Sequence, residues 1–256
     1  MISLRNVDFA YDERPILKDV SFTLDTSESA AIMGPSGSGK STILRLLLGL
    51  ETPSRGEVLI DGENICLMKE RQKREIRKQI GMVFQEGALF DSLTVGENVG
   101  YYLFEHTRLK RARIEEKVRQ MLGFVGLDAD EVIDVLPDQL SGGMRRRVAI
   151  GRALLSTNPR VMLYDEPTTG LDPAAIEKVL HLINKLTSEH TISTIMVTHQ
   201  IPDAMAVADR YIVVDSGEIA FDGDIDELRT CTDSRVQDFL EPFRNSIAGV
   251  TKRRFV

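Results

Sequence analysis

The positions of apolar residues divide the chain into strand-like and helix-like segments. Residues 2–11 and 20–24 alternate roughly between apolar and polar side chains, which predicts two β-strands. The intervening residues 12–15 include Asp12 and Pro15, a turn signal. Residues 30–33 form a short apolar run, which is typical of a strand buried on both faces. Further short strands are predicted at residues 57–60, 80–84, 161–164, 193–197, 211–214 and 218–221.

Helical spacing dominates the remaining apolar positions. Residues 42–48 are apolar nearly all round and predict a buried helix that ends at Gly49. Residues 89–155 are rich in Leu, Glu, Arg and Lys and predict a helical insertion, and residues 174–189 predict an amphipathic helix. Because strands alternate with helices, the predicted class is α/β with a parallel sheet, and the N-terminal hairpins add an antiparallel layer.

Composition and charge exclude several classes of protein. The chain has 256 residues, of which 42% are hydrophobic and 28% charged, so it is not disordered. Its net charge of −7 argues against a protein whose whole surface binds nucleic acid. Cys66 and Cys231 are distant in sequence, so we expect neither a disulfide scaffold nor a metal cluster. No signal peptide or membrane-spanning run is evident, so we expect any work at a membrane to go through a partner.

A glycine-rich loop lies between the strand at 30–33 and the helix at 42–48. Its residues fit G-x-x-x-x-G-K-S/T in full: Gly34, Pro35, Ser36, Gly37, Ser38, Gly39, Lys40 and Ser41. Glycines let backbone N–H groups point at phosphate oxygens, and the following helix presents its positive end to them. Lys40 adds a full charge against the β- and γ-phosphates, and the Ser41 hydroxyl can bind Mg²⁺. The sequence therefore predicts a nucleoside triphosphate site.

Two further motifs are weak alone and stronger beside this loop. The strand at 161–164 ends in Asp165 and Glu166. At a strand end Asp165 can hold Mg²⁺ and Glu166 can orient or deprotonate water, whereas without the loop both would be interpreted as solvated acids. Ser141 precedes Gly142 and Gly143 at the start of a helical pattern, where an ordinary helix cap is the favoured interpretation of these residues by themselves.

Taken together, the motifs resemble those of the ATPase subunit of ATP-binding cassette (ABC) transporters, over nearly the whole chain. Further elements follow in the family's order: Tyr11 as an adenine-stacking aromatic, Gln85 as the Q-loop, Leu140–Gly143 as the signature, Gly170–Asp172 as the D-loop and His199 as the switch histidine. The resemblance implies a RecA-like P-loop core at about 1–88 and 156–230, a helical subdomain at about 89–155, and a C-terminal extension at about 231–256.

The resemblance also implies roles for individual residues. The implied catalytic residues are Glu166, His199 and Gln85, and the implied Mg²⁺ ligands are Ser41, Gln85 and Asp165. The implied nucleotide-binding residues are Tyr11, Gly34, Pro35, Ser36, Gly37, Ser38, Gly39, Lys40, Ser41, Thr42, Ser141, Gly142, Gly143 and Asp172. In the family two subunits pair head to tail, so ATP on the phosphate loop of one is covered by the signature of the other.

The signature departs from the family's pattern at one position. The usual Gln is replaced by Met144, which cannot hydrogen-bond as Gln does. Because Ser141 and the glycines contact phosphate in the family, we expect closure over ATP to survive. The following residues 145–147 are all Arg, and a solvated helix face is slightly favoured over a contact for an acidic partner.

Residues 84–99 and 140–154 resemble the ATPase of MCE-associated lipid transporters, the Mla type of bacterial envelopes and its plastid relatives. The resemblance implies energised phospholipid transport and a peripheral location at the cytoplasmic face of the inner membrane. The implied partners are a membrane permease, an MCE-domain lipid-binding protein and a small STAS-domain protein. Leu89, Phe90 and Leu93 either line a groove for the permease or are buried in the helical subdomain.

Alternatives stay open at this point. A soluble ABC ATPase acting on DNA or ribosomes is disfavoured, since the chain is acidic and has neither a long coiled-coil insertion nor a second cassette. A regulatory ABC ATPase of the cell-division type and a transporter of another substrate are both compatible with the motifs. The tail at 239–256 either docks on a neighbour or is disordered.

Overall fold

The computed structural model describes residues 1–157, 159–190 and 192–244. Within them the strands are β1 Ile2–Tyr11, β2 Arg14–Leu24, β3 Ser29–Met33, β4 Arg55–Ile60, β5 Glu63–Asn64, β6 Ile80–Val83, β7 Val161–Asp165, β8 Ser193–Val197, β9 Arg210–Asp215 and β10 Glu218–Gly223. The α-helices are α1 Lys40–Leu47, α2 Glu70–Arg77, α3 Val95–His106, α4 Arg111–Phe124, α5 Ala129–Val132, α6 Gly142–Ser156, α7 Pro173–His190, α8 Ile201–Val207, α9 Ile225–Thr230 and α10 Ser234–Leu240. The chain forms two compact units, residues 1–77 with 186–256 and residues 78–185.

The first unit begins with an antiparallel sheet of strand order β2-β1-β4-β5. Alternate residues of β1 and β2 are buried, as their sequence pattern predicts. The turn between them places Asp12 in the left-handed region, at φ +51°, and the β4–β5 turn does the same with Asp61 and Gly62. The predicted N-terminal antiparallel layer is confirmed.

The same unit contains the strands that position the phosphate loop. Strand β3 pairs in parallel with β8 on one side and β9 on the other, and β9 pairs antiparallel with β10. All five residues of β3 are buried, because neighbouring elements cover both of its faces. Since β3 and β8 are parallel neighbours, the segments that follow them emerge at the same edge of the sheet.

The second unit combines helices with a parallel strand pair. Strands β6 and β7 are parallel neighbours, with Val83 opposite Tyr164. Helix α6 packs against α3, α4 and β6. The predicted α/β class and the helical insertion are confirmed, and the insertion packs within one unit with β6, β7 and most of α7.

Four helices were not predicted from the pattern: α2, α8, α9 and α10. Helix α2 has no buried residue, so it has no apolar stripe to signal it. The other three are short, and they pack on β3 and β9 through an apolar cluster that includes Ile201, Leu228 and Leu240. Phe239 and Phe243 pack against this cluster, so the first part of the predicted tail belongs to the core of the first unit. Residues 245–256 of the tail lie outside the described residues.

Both cysteines are free thiols and half-buried, as expected from their spacing. Among the helices that the structure describes, none is long and apolar enough to cross a membrane.

Tyr164 and Tyr211 are both buried tyrosines but differ in their hydrogen bonding. The Tyr164 hydroxyl has no hydrogen-bond partner within the described parts of the chain, whereas the Tyr211 hydroxyl donates to the carbonyl oxygen of Ala208 at 2.7 Å. We therefore expect Tyr164→Phe to leave the free energy of unfolding unchanged or raise it by about 1 kcal/mol, and Tyr211→Phe to lower it by about 1–3 kcal/mol. Urea unfolding of the two variants measures both values, and equal destabilisation by both substitutions would contradict this expectation.

Candidate nucleotide site

The backbone of the phosphate loop requires glycine at fixed points. Gly34 has φ +145°, and a Cβ there would lie 2.0 Å from the carbonyl oxygen of Val214. Gly39 has φ +106°, and a Cβ there would lie 2.6 Å from Leu17 Cδ2. Any side chain at these two positions would displace backbone or core, so the loop keeps its shape only with glycine.

Lys40 is the first residue of α1 and is 7% exposed. Its Nζ donates to the carbonyl oxygens of Gly34 at 2.9 Å and Pro35 at 2.8 Å, so the ammonium group is held within the loop. The buried hydroxyl of Ser38 has no hydrogen-bond partner among the residues described. An ammonium and an unpaired hydroxyl at a helix N-terminus are suited to an anion with several oxygens. The predicted loop residues therefore fit a polyphosphate.

Tyr11 lies at the end of β1, also in the first unit. The residue is 39% exposed, and its ring meets that of Phe9 edge-on, with ring centroids 4.8 Å apart. The hydroxyl donates to Glu51 and accepts from Arg45 of α1, each at 3.1 Å. These contacts fix the ring and leave part of it open to a planar ligand.

His199 follows β8, whose neighbour β3 leads into the phosphate loop. The preceding Thr198 is buried, and its N–H donates to the carbonyl oxygen of Ile32 in β3 at 3.1 Å. The ring of His199 is exposed, with Nε2 3.0 Å from the side-chain nitrogen of Gln200. The first unit therefore brings His199 to the sheet edge where the loop begins.

In the second unit, Gln85 and the acidic pair lie after parallel neighbours. Gln85 follows β6 and is exposed, and Asp165 ends β7. Glu166 is 9% exposed and has φ +47°, an uncommon conformation for a residue other than glycine. Its Oε2 accepts from the Thr169 hydroxyl at 3.0 Å. A carboxylate held in a strained conformation at a strand end is typical of a functional site.

The signature and the predicted D-loop pack together in the same unit. Ser141 is the N-cap of α6, and its hydroxyl accepts from the backbone N–H of Met144 at 3.3 Å. A Cβ on Gly142 would lie 2.9 Å from Leu171, and a Cβ on Gly143 would lie 2.6 Å from Ala175. The side chain of Asp172 accepts from the Ala175 N–H at 3.0 Å and so caps the start of α7. The prediction that Ser141 caps a helix is confirmed.

The expectation of a solvated arginine face is wrong. Arg146 is 5% exposed, and Arg145 and Arg147 are half-buried. All three guanidinium groups donate to backbone carbonyls of their own unit: those of Leu140, Phe84, Val125 and Gly126. A residue pattern cannot reveal this, because the acceptors are main-chain atoms, and those of Arg146 and Arg147 are distant in sequence. Burial lowers the pKa of Arg146 from its ordinary value, and the nearby Glu86 opposes this shift.

The segment after Gln85 depends on Asn98, a buried residue that no local pattern singles out. Asn98 is fully buried, accepts from the Phe90 N–H and donates to the carbonyl oxygens of Phe90, Leu93 and Thr94, at 2.8–3.0 Å. Phe90 is nevertheless 43% exposed, while Leu93 is half-buried. Part of Phe90 is therefore accessible to a partner, whereas Leu89 and Leu93 are half-buried.

The sequence matches the family described as ABC transporter over residues 17–169. It is 37% identical over 241 residues to the intermembrane phospholipid transport system ATP-binding protein MlaF of Escherichia coli (strain K12), covering 94% of this chain and 88% of that one. It is 41% identical over 255 residues to the chloroplastic protein TRIGALACTOSYLDIACYLGLYCEROL 3 of Arabidopsis thaliana, covering 93% and 73% of the two chains. A dimeric structure of the ATP-binding cassette MJ0796 in a post-hydrolysis state, bound to ADP and Pi, matches with a TM-score of 0.80 and 35% identity over 88% of this chain and 98% of that one.

Two loop glycines provide a matched test of the site geometry. A Cβ at Gly34 meets backbone, whereas a Cβ at Gly37, with φ +79°, meets nothing within 4 Å. We expect Gly34→Ala to lower the free energy of unfolding by about 3 kcal/mol or more, and Gly37→Ala by only about 1–2 kcal/mol, the cost of its left-handed backbone. Denaturant unfolding checks both values. Equal losses would mean that the Gly34–Val214 approach does not restrict the loop.

Proposed function

Since the chain belongs to the ABC transporter family of ATP-binding subunits, we propose that it hydrolyses ATP to drive phospholipid transport by a membrane complex. The observation that carries the proposal is the phosphate loop, with its obligatory glycines, its buried Lys40 and the unpaired Ser38 hydroxyl. The 37% identity to MlaF supports phospholipid as the cargo.

The phosphates of ATP bind to residues of the first unit. Backbone N–H groups of residues 36–42, including the N-terminus of α1, donate to them, and Lys40 exchanges its carbonyl partners for β- and γ-phosphate oxygens. The exposed face of Tyr11 stacks on adenine, and His199 binds the γ-phosphate or the attacking water.

Ser41, Gln85 and Asp165 supply hydroxyl, amide and carboxylate oxygens, the donor set that Mg²⁺ prefers. Mg²⁺ would neutralise negative charge on the β- and γ-phosphates. Glu166 is the general base: its carboxylate accepts a proton from the attacking water, and its hydrogen bond from Thr169 fixes the side chain. Its placement at a strand end supports this role.

Two copies of the chain enclose ATP head to tail. Ser141, Gly142 and Gly143 at the start of α6 present a second helix N-terminus, which in the dimer faces the γ-phosphate bound by the partner copy, and Asp172 lies beside it. The dimeric structure of the similar cassette MJ0796 supports the pairing of two copies. Because two positive helix ends meet, closure is favourable only with the anion between them.

We further propose that the dimer lies at the cytoplasmic face of the inner membrane, attached through a permease that the exposed Phe90 contacts. The similarity to a protein named for an intermembrane phospholipid transport system supports a membrane complex. An MCE-domain lipid-binding protein and a small STAS-domain protein are proposed as the other partners from the family resemblance.

Glu166→Gln removes the base and keeps the size of the side chain. We expect hydrolysis to fall by about 10²–10⁴-fold while ATP binding persists, so that a closed dimer accumulates with Mg²⁺ and ATP. Phosphate release and light scattering measure the two effects. Glu63→Gln, an exposed substitution on β5, is the control and should hydrolyse ATP at the wild-type rate. Rapid turnover by Glu166→Gln would contradict the assignment.

Lys40→Ala removes the ammonium group from the phosphate loop. We expect the affinity for ATP to fall about ten- to a hundredfold, since charge-assisted hydrogen bonds of about 1.5–3 kcal/mol are lost. Equilibrium binding of ATP checks this loss. The exposed Lys69→Ala serves as the control and should bind as the wild type does. Unchanged affinity in Lys40→Ala would remove Lys40 from the site.

Transport itself is tested on the complex that co-purifies with the full-length chain. After reconstitution into vesicles, we expect ATP-dependent transfer of labelled phospholipid to acceptor membranes, and no transfer with Glu166→Gln. A complex that hydrolyses ATP without moving phospholipid would instead indicate a regulatory ATPase or another cargo. An MCE-domain protein among the co-purified chains supports the lipid assignment, and its absence contradicts it.

A further inference from the structure

We propose that Arg146 and Arg152 are positioning residues that fix the Gln85 turn, defined as residues 84–87, on helix α6. The proposal deepens the function proposed above, because it explains how Gln85 is held relative to the signature end of the same helix.

The turn is anchored at both ends. The Gly87 N–H donates to the Phe84 carbonyl oxygen at 2.8 Å, which leaves Gln85 and Glu86 as the exposed central residues. The Phe84 carbonyl also accepts from Arg146 at 2.6 Å, and the Gly87 carbonyl accepts from Arg152 at 3.0 Å. Each end of the turn therefore receives a guanidinium hydrogen bond.

Both arginines lie on one face of α6, and the turn packs between them. A Cβ on Gly87 would lie 3.4 Å from the Cβ of Ala149, which is three residues from each arginine. Arg152 also donates to the Ala88 carbonyl at 2.8 Å. Residues three apart in a helix are neighbours on its surface, so positions 146, 149 and 152 form one continuous contact surface for the turn.

The electrostatics indicate a positioning role rather than simple packing. Arg146 is 5% exposed, and its Nε has no partner among the described residues. No ion pair of Arg146 or Arg152 occurs in the described part of the chain, and burial lowers the pKa of both. Such cations are costly to bury, and an apolar side chain could fill the same space. What an apolar side chain could not supply is a directed donor to the carbonyls of the turn.

The same contact surface extends toward the exposed Phe90. The guanidinium of Arg152 lies 5.6 Å from the centroid of the Phe90 ring, which also packs on Tyr101 at 4.7 Å. Ser141 caps the other end of α6. One helix therefore binds the Gln85 turn and begins at the signature.

The test compares Arg146→Met and Arg152→Met with Arg147→Met in the full-length chain. Arg147 is the matched control, since it also donates to main-chain carbonyls, those of Val125 and Gly126, but not to the turn. Hydrogen exchange followed by mass spectrometry should show at least tenfold faster exchange in the peptide covering residues 84–89 for the first two variants. In the Arg147→Met control this peptide should exchange at the wild-type rate. Equal exchange in all three would overturn the proposal.

ATP turnover by the co-purified complex provides the second measurement. Arg146→Met should lower kcat at least tenfold with the KM for ATP within twofold, and Arg146→Lys, which keeps a cationic hydrogen-bond donor, should recover part of the loss. Gln85→Ala/Arg146→Met should turn over at the rate of Gln85→Ala alone, because Arg146 acts through Gln85. Multiplicative losses would overturn the proposal.

The outcomes separate the two proposals. If wild-type complex does not hydrolyse ATP, or if Gln85→Ala does not slow it, the proposed function of these residues fails, while the exchange experiment still decides whether the arginines hold the turn. If Gln85→Ala is slow and Arg146→Met is as fast as wild type, only the positioning proposal fails. Should Arg146→Met not fold, Arg146→Lys and Arg152→Met replace it in both measurements.

Discussion

The close approach of Gly34 to the carbonyl oxygen of Val214 is the constraint on which the nucleotide site depends. Only a hydrogen atom fits in that space, so the chain leaves β3 along a path that no other residue allows. This path brings the loop carbonyls within reach of Lys40 and starts α1 with its N–H groups facing the loop. The parallel pairing of β3 with β8 then places His199 at the same edge. The shape of the phosphate loop thus follows from strand geometry in the first unit.

In the second unit, the segment between β6 and α3 is held by side chains that donate hydrogen bonds to its main-chain carbonyls. Arg146, Arg152 and Asn98 together satisfy carbonyls of a segment that has no regular secondary structure of its own between β6 and α3. Buried backbone carbonyls need donors, and here helices α3 and α6 supply them. The backbone that carries the exposed Gln85 and Phe90 is therefore held by hydrogen bonds. This is a requirement for any residue that must meet a ligand or partner in a defined position.

Much of the fold and of the site could be predicted because the signals are local. The phosphate loop, the buried run of β3, the acidic end of β7 and the cap at Ser141 each depend on neighbours in sequence. The arginines after Met144 could not be interpreted this way. A run of charged residues predicts a solvated helix face, whereas Arg146 is buried and donates to a carbonyl oxygen of a residue distant in sequence. Asn98 likewise resembles any polar helical residue until its four contacts are seen. Helix α2 was missed because it buries nothing.

The cap at the signature has a consequence for variation in this sequence. The hydroxyl of Ser141 accepts from the main-chain N–H of residue 144, so the helix start does not depend on which side chain that residue has. The side chain at position 144 is therefore not needed for the cap, and the half-buried Met144 is accommodated there. Exchange of a polar for an apolar side chain at this position therefore leaves the start of α6 intact.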